Sequence, residues 1–140
     1  MRRIAELVGF ENIIEIGVRS SSEEEYASLH KIKVYDAEML REKSVECVLD
    51  EIGKEEEKTH LSIDVDVLDS RIASGIENPE PCGMLLKSLI SLIRGIIKRK
   101  NVVASDVMEV NPKFDIVNGI TSINVARIVF EILACYRERV

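Results

Sequence analysis

At 140 residues, with 46% hydrophobic and 31% charged side chains, the chain has the size and composition of one globular domain able to bury a core. Its formal net charge of -6 weighs against nucleic acid or an anionic membrane as a partner, because phosphate binding needs a basic face. Its three cysteines are widely spaced, and no stretch has the apolar length of a signal-peptide core or a membrane span, which together point to a reducing cytoplasm.

Arg2 to Val8 carries Ile4, Leu7 and Val8 at helical spacing and stops at Gly9, so a short helix is expected first. Asn12 to Val18 reads as a buried strand. Ser20 to Ser22 then form a polar turn that caps an acidic helix from Glu23 to about His30. A second, short strand follows at Ile32 to Tyr35. Asp36 is suited to cap a helix reaching about Ile52, with Gly53 ending it, and Lys54 to Lys58 reads as a charged loop. Leu61 to Asp69 is the third strand. Beyond it, Asp69 to Gly83 holds two Gly and two Pro in a connection long enough to suggest a role over a site. Met84 to about Lys98 is an amphipathic crossover helix, and Lys98 to Lys100 reads as its cationic cap. Val102 to Val110 is the fourth strand, broken at Asn111 and Pro112, and Thr121 caps a last helix to about Arg137. Strands alternating with helices imply one partial α/β domain over residues 1–140, a parallel sheet flanked by helices, with any site beyond the carboxyl ends of the strands.

Packing alone does not explain LSIDVDVLD, Leu61 to Asp69. Val, Ile and Leu give it the composition of a strand buried on both faces, yet Asp64 and Asp66 interrupt the run. Strand alternation would put Ser62, Asp64 and Asp66 on one face, with the two carboxylates about 7 Å apart. Buried like charges need a cation, solvent or protonation, and a hard divalent ion suits two carboxylates. A calcium loop does not fit, because Leu68 and Asp69 stand where its fifth and sixth positions need an oxygen donor and Gly. Two readings stay open on these residues, a solvated strand end and an Asp-x-Asp nucleophile. If the third and fourth strands are neighbours, Glu109 joins Asp64 and Asp66 at one crevice.

Four segments together resemble the ureohydrolases, the family of agmatinase, arginase and formiminoglutamase. SIDVDVLDS at Ser62 to Ser70 is similar to the family signature S-[FI]-D-[IV]-D-x-x-D-P, with Ser70 in place of its Pro. ENPEPCG at Glu77 to Gly83 resembles the loop ending in P-E-P-x-G. DVMEVNPKFD at Asp106 to Asp115 is similar to D-[IV]-[MV]-E-[VL]-[NA]-P-x-[YF]-D, and NIIEIGVRS at Asn12 to Ser20 resembles the strand ending in I-G-[IV]-R. The resemblance implies the carboxyl-terminal half of an arginase-type doubly wound fold, closest to the agmatinase branch. It implies that Asp64 bridges two manganese ions, that Asp66 binds one of them, and that Glu109 contacts a substrate guanidinium. It further implies hydrolysis of a guanidino C–N bond, releasing urea, as in the conversion of agmatine to putrescine in polyamine metabolism.

Gly-Gly-Asp-His and Asp-x-His-x-Asp segments, which carry the family's other ligands, have no counterpart in this chain. His60 and His30 lack an acidic partner at motif spacing and read as structural or solvated. The expected partners are therefore a complementary amino-terminal half or a second copy of the chain, with a small guanidino substrate once the site is complete. The alternative expectation is a non-catalytic remnant that serves as a binding or structural subunit.

Overall fold

A computed structural model describes residues 2–20, 31–53, 55–116 and 118–139. The helix expected at Glu23 to His30, with its capping serines Ser21 and Ser22, lies outside the described residues. Two compact units divide the chain, Met1–Lys43 and Ser44–Val140.

In the first unit, helix α1 (Arg2–Val8) ends at Gly9, whose φ of 90° explains the choice of residue. A single 3₁₀ turn, Phe10–Asn12, takes the start of the expected strand, and β1 proper is Ile14–Val18. It pairs in parallel with β2 (Lys33–Asp36), and the register shifts between Ile16 and Val18, where Gly17 has φ 93°. Ala5, Ile13 and Tyr35 are its buried apolar residues. The helix expected from Asp36 to Ile52 is broken. Asp36 Oδ1 does accept from Met39 N at 2.8 Å, but α2 is only Met39–Glu42. Lys43 turns extended, and Ser44 starts a second helix by accepting from Cys47 N at 3.2 Å. A serine with this local bond available competes with helix continuation, which the apolar periodicity does not register.

The second unit begins with that helix, α3 (Val45–Ile52), closed by Gly53 at φ 68°. Of the run expected as a charged loop, Lys54 lies outside the described residues, and Glu55 to Lys58 are instead the first part of a long strand, β3 (Glu55–Asp64). Charge density did not mean the absence of pairing: Glu55 and Lys58 pair with Lys100 and Asn101. Helix α4 (Leu86–Arg99) crosses over to β4 (Lys100–Met108), and α5 (Ile120–Arg137) closes the unit. Strands β3 and β4 are parallel neighbours, running from Glu55↔Lys100 to Asp64↔Met108. The core lies between this pair and helices α3, α4 and α5, with Leu49, Ile63, Leu68, Ile93, Ile97 and Ile128 buried.

Gly95 lets α3 and α4 meet closely, since a Cβ there would stand 2.1 Å from Leu49 Cδ1. The basic residues at the end of α4 do more than complement its dipole. Arg99 reaches Glu46 at 2.7 Å and Asp50 at 3.0 Å on α3, and the buried Lys100 ammonium donates to Ile52 O at 2.8 Å. A cation placed on the last carbonyls of α3 favours that helix end as well.

Thr121 is not the cap of α5. Asp115 performs that task by accepting from Thr121 N (3.2 Å), Ser122 N (2.8 Å) and Ser122 Oγ (2.7 Å), which holds its carboxyl below the ordinary range, the Ser122 amide contributing most. Thr121 is released for another contact, accepting from the buried Gly75 N at 2.8 Å.

Candidate functional site

Strand β3 ends at Asp64, so Asp66 does not share its face as strand alternation predicts. Instead Asp64 Oδ1 accepts from Asp66 N at 2.8 Å, and Val65–Val67 form one 3₁₀ turn. The aspartate caps the turn that carries its neighbour, an Asx-type bond that an isolated extended strand cannot make. The two carboxylates therefore come from a strand end and the turn beyond it. Val65 fills the core at 0% exposure, which anchors the turn, while Asp64 is exposed and Asp66 half-buried. One oxygen of Asp66, Oδ1, is buried and accepts no hydrogen bond, although the residue is engaged elsewhere.

Glu109 follows Met108, the residue registered against Asp64, so the carboxyl ends of β3 and β4 lie side by side. Its φ is 66°. A glutamate in the left-handed region carries a strain of roughly 1–3 kcal/mol, of the kind that collects where a side chain must be aimed.

The long connection stands beside this strand end, as expected from its length. Its middle is pinned by three contacts from the carboxyl-terminal segment: Asn111 N donates to Gly75 O (2.9 Å), Gly75 N donates to Thr121 Oγ1, and Asn124 Nδ2 donates to Ile72 O (2.8 Å). Asn111 Nδ2 also donates to Glu77 Oε1 at 3.1 Å. Ala73 and Ile76 are buried beneath. The loop's far end returns to the turn after β3, where Met84 N donates to Val67 O (2.8 Å) and Asp69 N to Met84 O (3.0 Å). Cys82, at the loop's end, is exposed and has φ 64°.

Asp69 is structural. Its side chain is 2% exposed, and Oδ1 accepts from Arg71 N at 3.0 Å and Arg71 Nε at 2.6 Å. The Arg71 side-chain bond, followed by its amide, holds this carboxyl down to about 2. A folded value below the unfolded one of 3.8 means that the pair stabilises the fold above about pH 4 and loses that contribution as pH falls through about 2. Arg71→Met is expected to shrink the drop in melting temperature between pH 4 and pH 2 while lowering the melting temperature at pH 7. A parent and variant with parallel melting curves across that window would show the pair to be inert.

Sequence reasoning missed a polar group next to Asp64. His60 Nε2 lies 2.9 Å from Asp106 Oδ2, and Ser62 Oγ donates to Asp106 Oδ1 at 2.7 Å. Motif spacing could not find the pair, because Asp106 arrives from β4 through a parallel register of Ser62↔Asp106. Among the described residues no group of three His, Cys, Asp or Glu side chains is placed to hold a metal ion.

Residues 1–135 match the profile of the Arginase family. The guanidinopropionase of Pseudomonas aeruginosa is 35% identical over 131 residues, which are 89% of this chain and 41% of that protein. The solved agmatine ureohydrolase of Thermoplasma volcanium superposes with a TM-score of 0.87 at 26% identity, over 99% of this chain and 48% of that one. A hypothetical agmatinase from Burkholderia thailandensis gives 0.84 at 26% identity, over 99% and 43%. The chain thus spans less than half the length of these relatives.

Proposed function

Since the chain belongs to the arginase family of ureohydrolases, we propose that it carries part of an agmatinase-like, manganese-dependent site and acts once the remainder of that site is supplied. The fold supports this as an α/β arrangement matching about half of arginase-fold proteins. In this reading Asp64 and Asp66 would hold the metal, and Glu109 would receive the substrate guanidinium. The observation that carries it is the register Asp64↔Met108, which brings Glu109 to the same sheet end as the two aspartates. The Pro79-Glu80-Pro81 element favours agmatine over other guanidino compounds, with urea and putrescine as products.

The residues present fit a binuclear centre only in part. Asp64 and Asp66 are hard oxygen donors of the right kind. Two carboxylates do not fix two ions, and no third ligand joins them among the described residues. The hydrolytic chemistry therefore belongs to a completed assembly, in which a metal pair supplies Lewis acidity and a more acidic water. This same shortage of ligands favours the second reading, a non-catalytic remnant.

Metal linkage separates the two. A loose oxygen site has a dissociation constant on the order of 10⁻⁴ to 10⁻³ M. Manganese at tenfold excess over that constant would stabilise the parent by about 1.4 kcal/mol. The melting temperature of the parent is expected to rise with millimolar manganese, and that of Asp64→Asn to stay where it is. Equal responses in parent and variant would sink the metal reading.

A further inference from the structure

Glu109 stands between two fixed points. On one side Met108 is registered against Asp64 by the pairing of β3 with β4. On the other, Asn111 is bound to the long connection, its amide donating to Gly75 O at 2.9 Å and its side-chain Nδ2 to Glu77 Oε1 at 3.1 Å. Its acceptors are taken locally, Oδ1 by Lys113 N at 3.1 Å and the carbonyl by Phe114 N at 3.0 Å. The connection comes this close because residue 75 is Gly: a Cβ there would stand 2.5 Å from Asp115 Cβ. Between the two fixed points the chain has only Glu109 and Val110 with which to turn, and Glu109 takes the left-handed value, φ 66°. That value redirects the side chain. Paired residues of neighbouring strands share a face, so Met108 lies with Asp64, and continued alternation would send Glu109 to the opposite face. The left-handed residue breaks the alternation.

We propose that Asn111 is a positioning residue for Glu109, holding it in left-handed backbone through its side-chain bond to Glu77, and that Glu77 serves as the anchor of that bond and not as a charge presented to the substrate. The inference rests on the reading of Glu109 as the guanidinium contact and names what keeps that contact in place. A glutamate at positive φ persists only where its surroundings over-determine it. The sheet register fixes the chain before Glu109, and the Asn111 amide fixes it after. The side-chain bond to Glu77 adds a second contact in another direction, so that residues 109–111 do not swing about the first. A bond that served only to hold the connection would be redundant, because Gly75 N to Thr121 Oγ1 and Asn124 Nδ2 to Ile72 O already tie it to α5. Glu77 is exposed and Asn111 half-buried, so the bond lies at the surface beside the strand end, and its loss leaves the core untouched.

The test is NMR of the full chain, isotopically labelled, reading the intraresidue NOE between the amide and α protons of Glu109, which is strong where φ is positive because the two protons then lie close together. The parent is expected to show the strong NOE. Asn111→Ala and Glu77→Ala remove the same bond from its two ends, so each should weaken the NOE about twofold or more, and the double variant should look like either single one, since both act through one interaction. Glu77→Ala sits at an exposed position and keeps the test open if Asn111→Ala folds poorly. Glu77→Gln retains an oxygen that accepts from Asn111 and should keep the parent signal. Asn124→Ala, which frees the connection at Ile72, should keep it too. An unchanged NOE in both alanine variants would overturn the proposal. Glu77→Gln behaving like Glu77→Ala would overturn it in favour of a direct role for the Glu77 charge, and Asn124→Ala weakening the signal equally would reduce Asn111 to a general loop anchor. Urea release reads the functional proposal separately. In a completed assembly Asn111→Ala should lower kcat/KM roughly tenfold to a hundredfold, as misplaced contacts do, and Glu77→Gln should not. A weakened NOE with kcat/KM unchanged would keep the hold on Glu109 and refute Glu109 as the substrate contact.

Discussion

The chain alone, supplied with manganese and agmatine, is expected to release no urea above background. Its two candidate ligands stand on a strand end and the following turn, and one of Asp64's oxygens is already committed to the Asp66 amide. Hard ions held by so few donors keep most of their waters. Without fixed coordination they neither position nor acidify the attacking water, which removes the main contributions a metal site makes to such a hydrolysis. The expected difference between the chain and a completed assembly is therefore all or none. In an assembly that does release urea, Asp64→Asn should cost more than the roughly 10–100-fold that outer-shell changes cost at metal sites. Steady urea release by the chain alone, abolished by a chelator and restored by readded manganese, would show that the site is sufficient as it stands.

Gly83→Ala is expected to be the most damaging single-methyl addition in the second unit. A Cβ at Gly83 would lie 2.5 Å from Asp69 N, 2.5 Å from Leu68 C and 2.6 Å from Leu68 O, all backbone atoms immediately after the turn that carries Asp66. No rotamer change relieves a clash with backbone, so the two segments must separate. Overpacking of this kind costs about 1–3 kcal/mol. Separation also strains the bonds Met84 N to Val67 O and Asp69 N to Met84 O, each worth about 1 kcal/mol. The sum, roughly 3–5 kcal/mol, is a large share of the 5–15 kcal/mol typical of a folded domain. Gly53→Ala is the control. Nothing lies within 4 Å of a Cβ there, and only its backbone, φ 68° with ψ −169° in a region that favours glycine, opposes the substitution, so about 1–3 kcal/mol is expected. Urea-unfolding midpoints should rank parent, then Gly53→Ala, then Gly83→Ala well below. Equal midpoints for the two variants would mean that the close approach at Gly83 is not a constraint on the fold.

Local chemistry made much of this protein legible from its residues. Helix α1 and its stop at Gly9, α4, α5 and the parallel alternation follow from apolar spacing and glycine placement, which depend on neighbours in sequence. The ureohydrolase resemblance was legible for the same reason, since its signature is a short contiguous run around Asp64, Asp66 and Asp69.

What depended on hydrogen bonds, whether local as at Asp64 or between strands as at Asp106, was not. Alternation put Asp66 on the strand face, but the Asp64 carboxylate captures the Asp66 amide and turns the chain, so Asp66 stands on a turn beyond the strand end. The Glu55 to Lys58 run looked like a loop, but the pairing of β3 with β4 makes it strand. Thr121 looked like a cap until Asp115 took the helix amides and left the threonine to hold Gly75. His60 had no partner within motif reach because Asp106 is delivered by strand register. Periodicity and motif record what a residue does with its near neighbours. Which hydrogen-bond acceptor wins, and which residues of β3 and β4 stand side by side, is decided only in the folded chain.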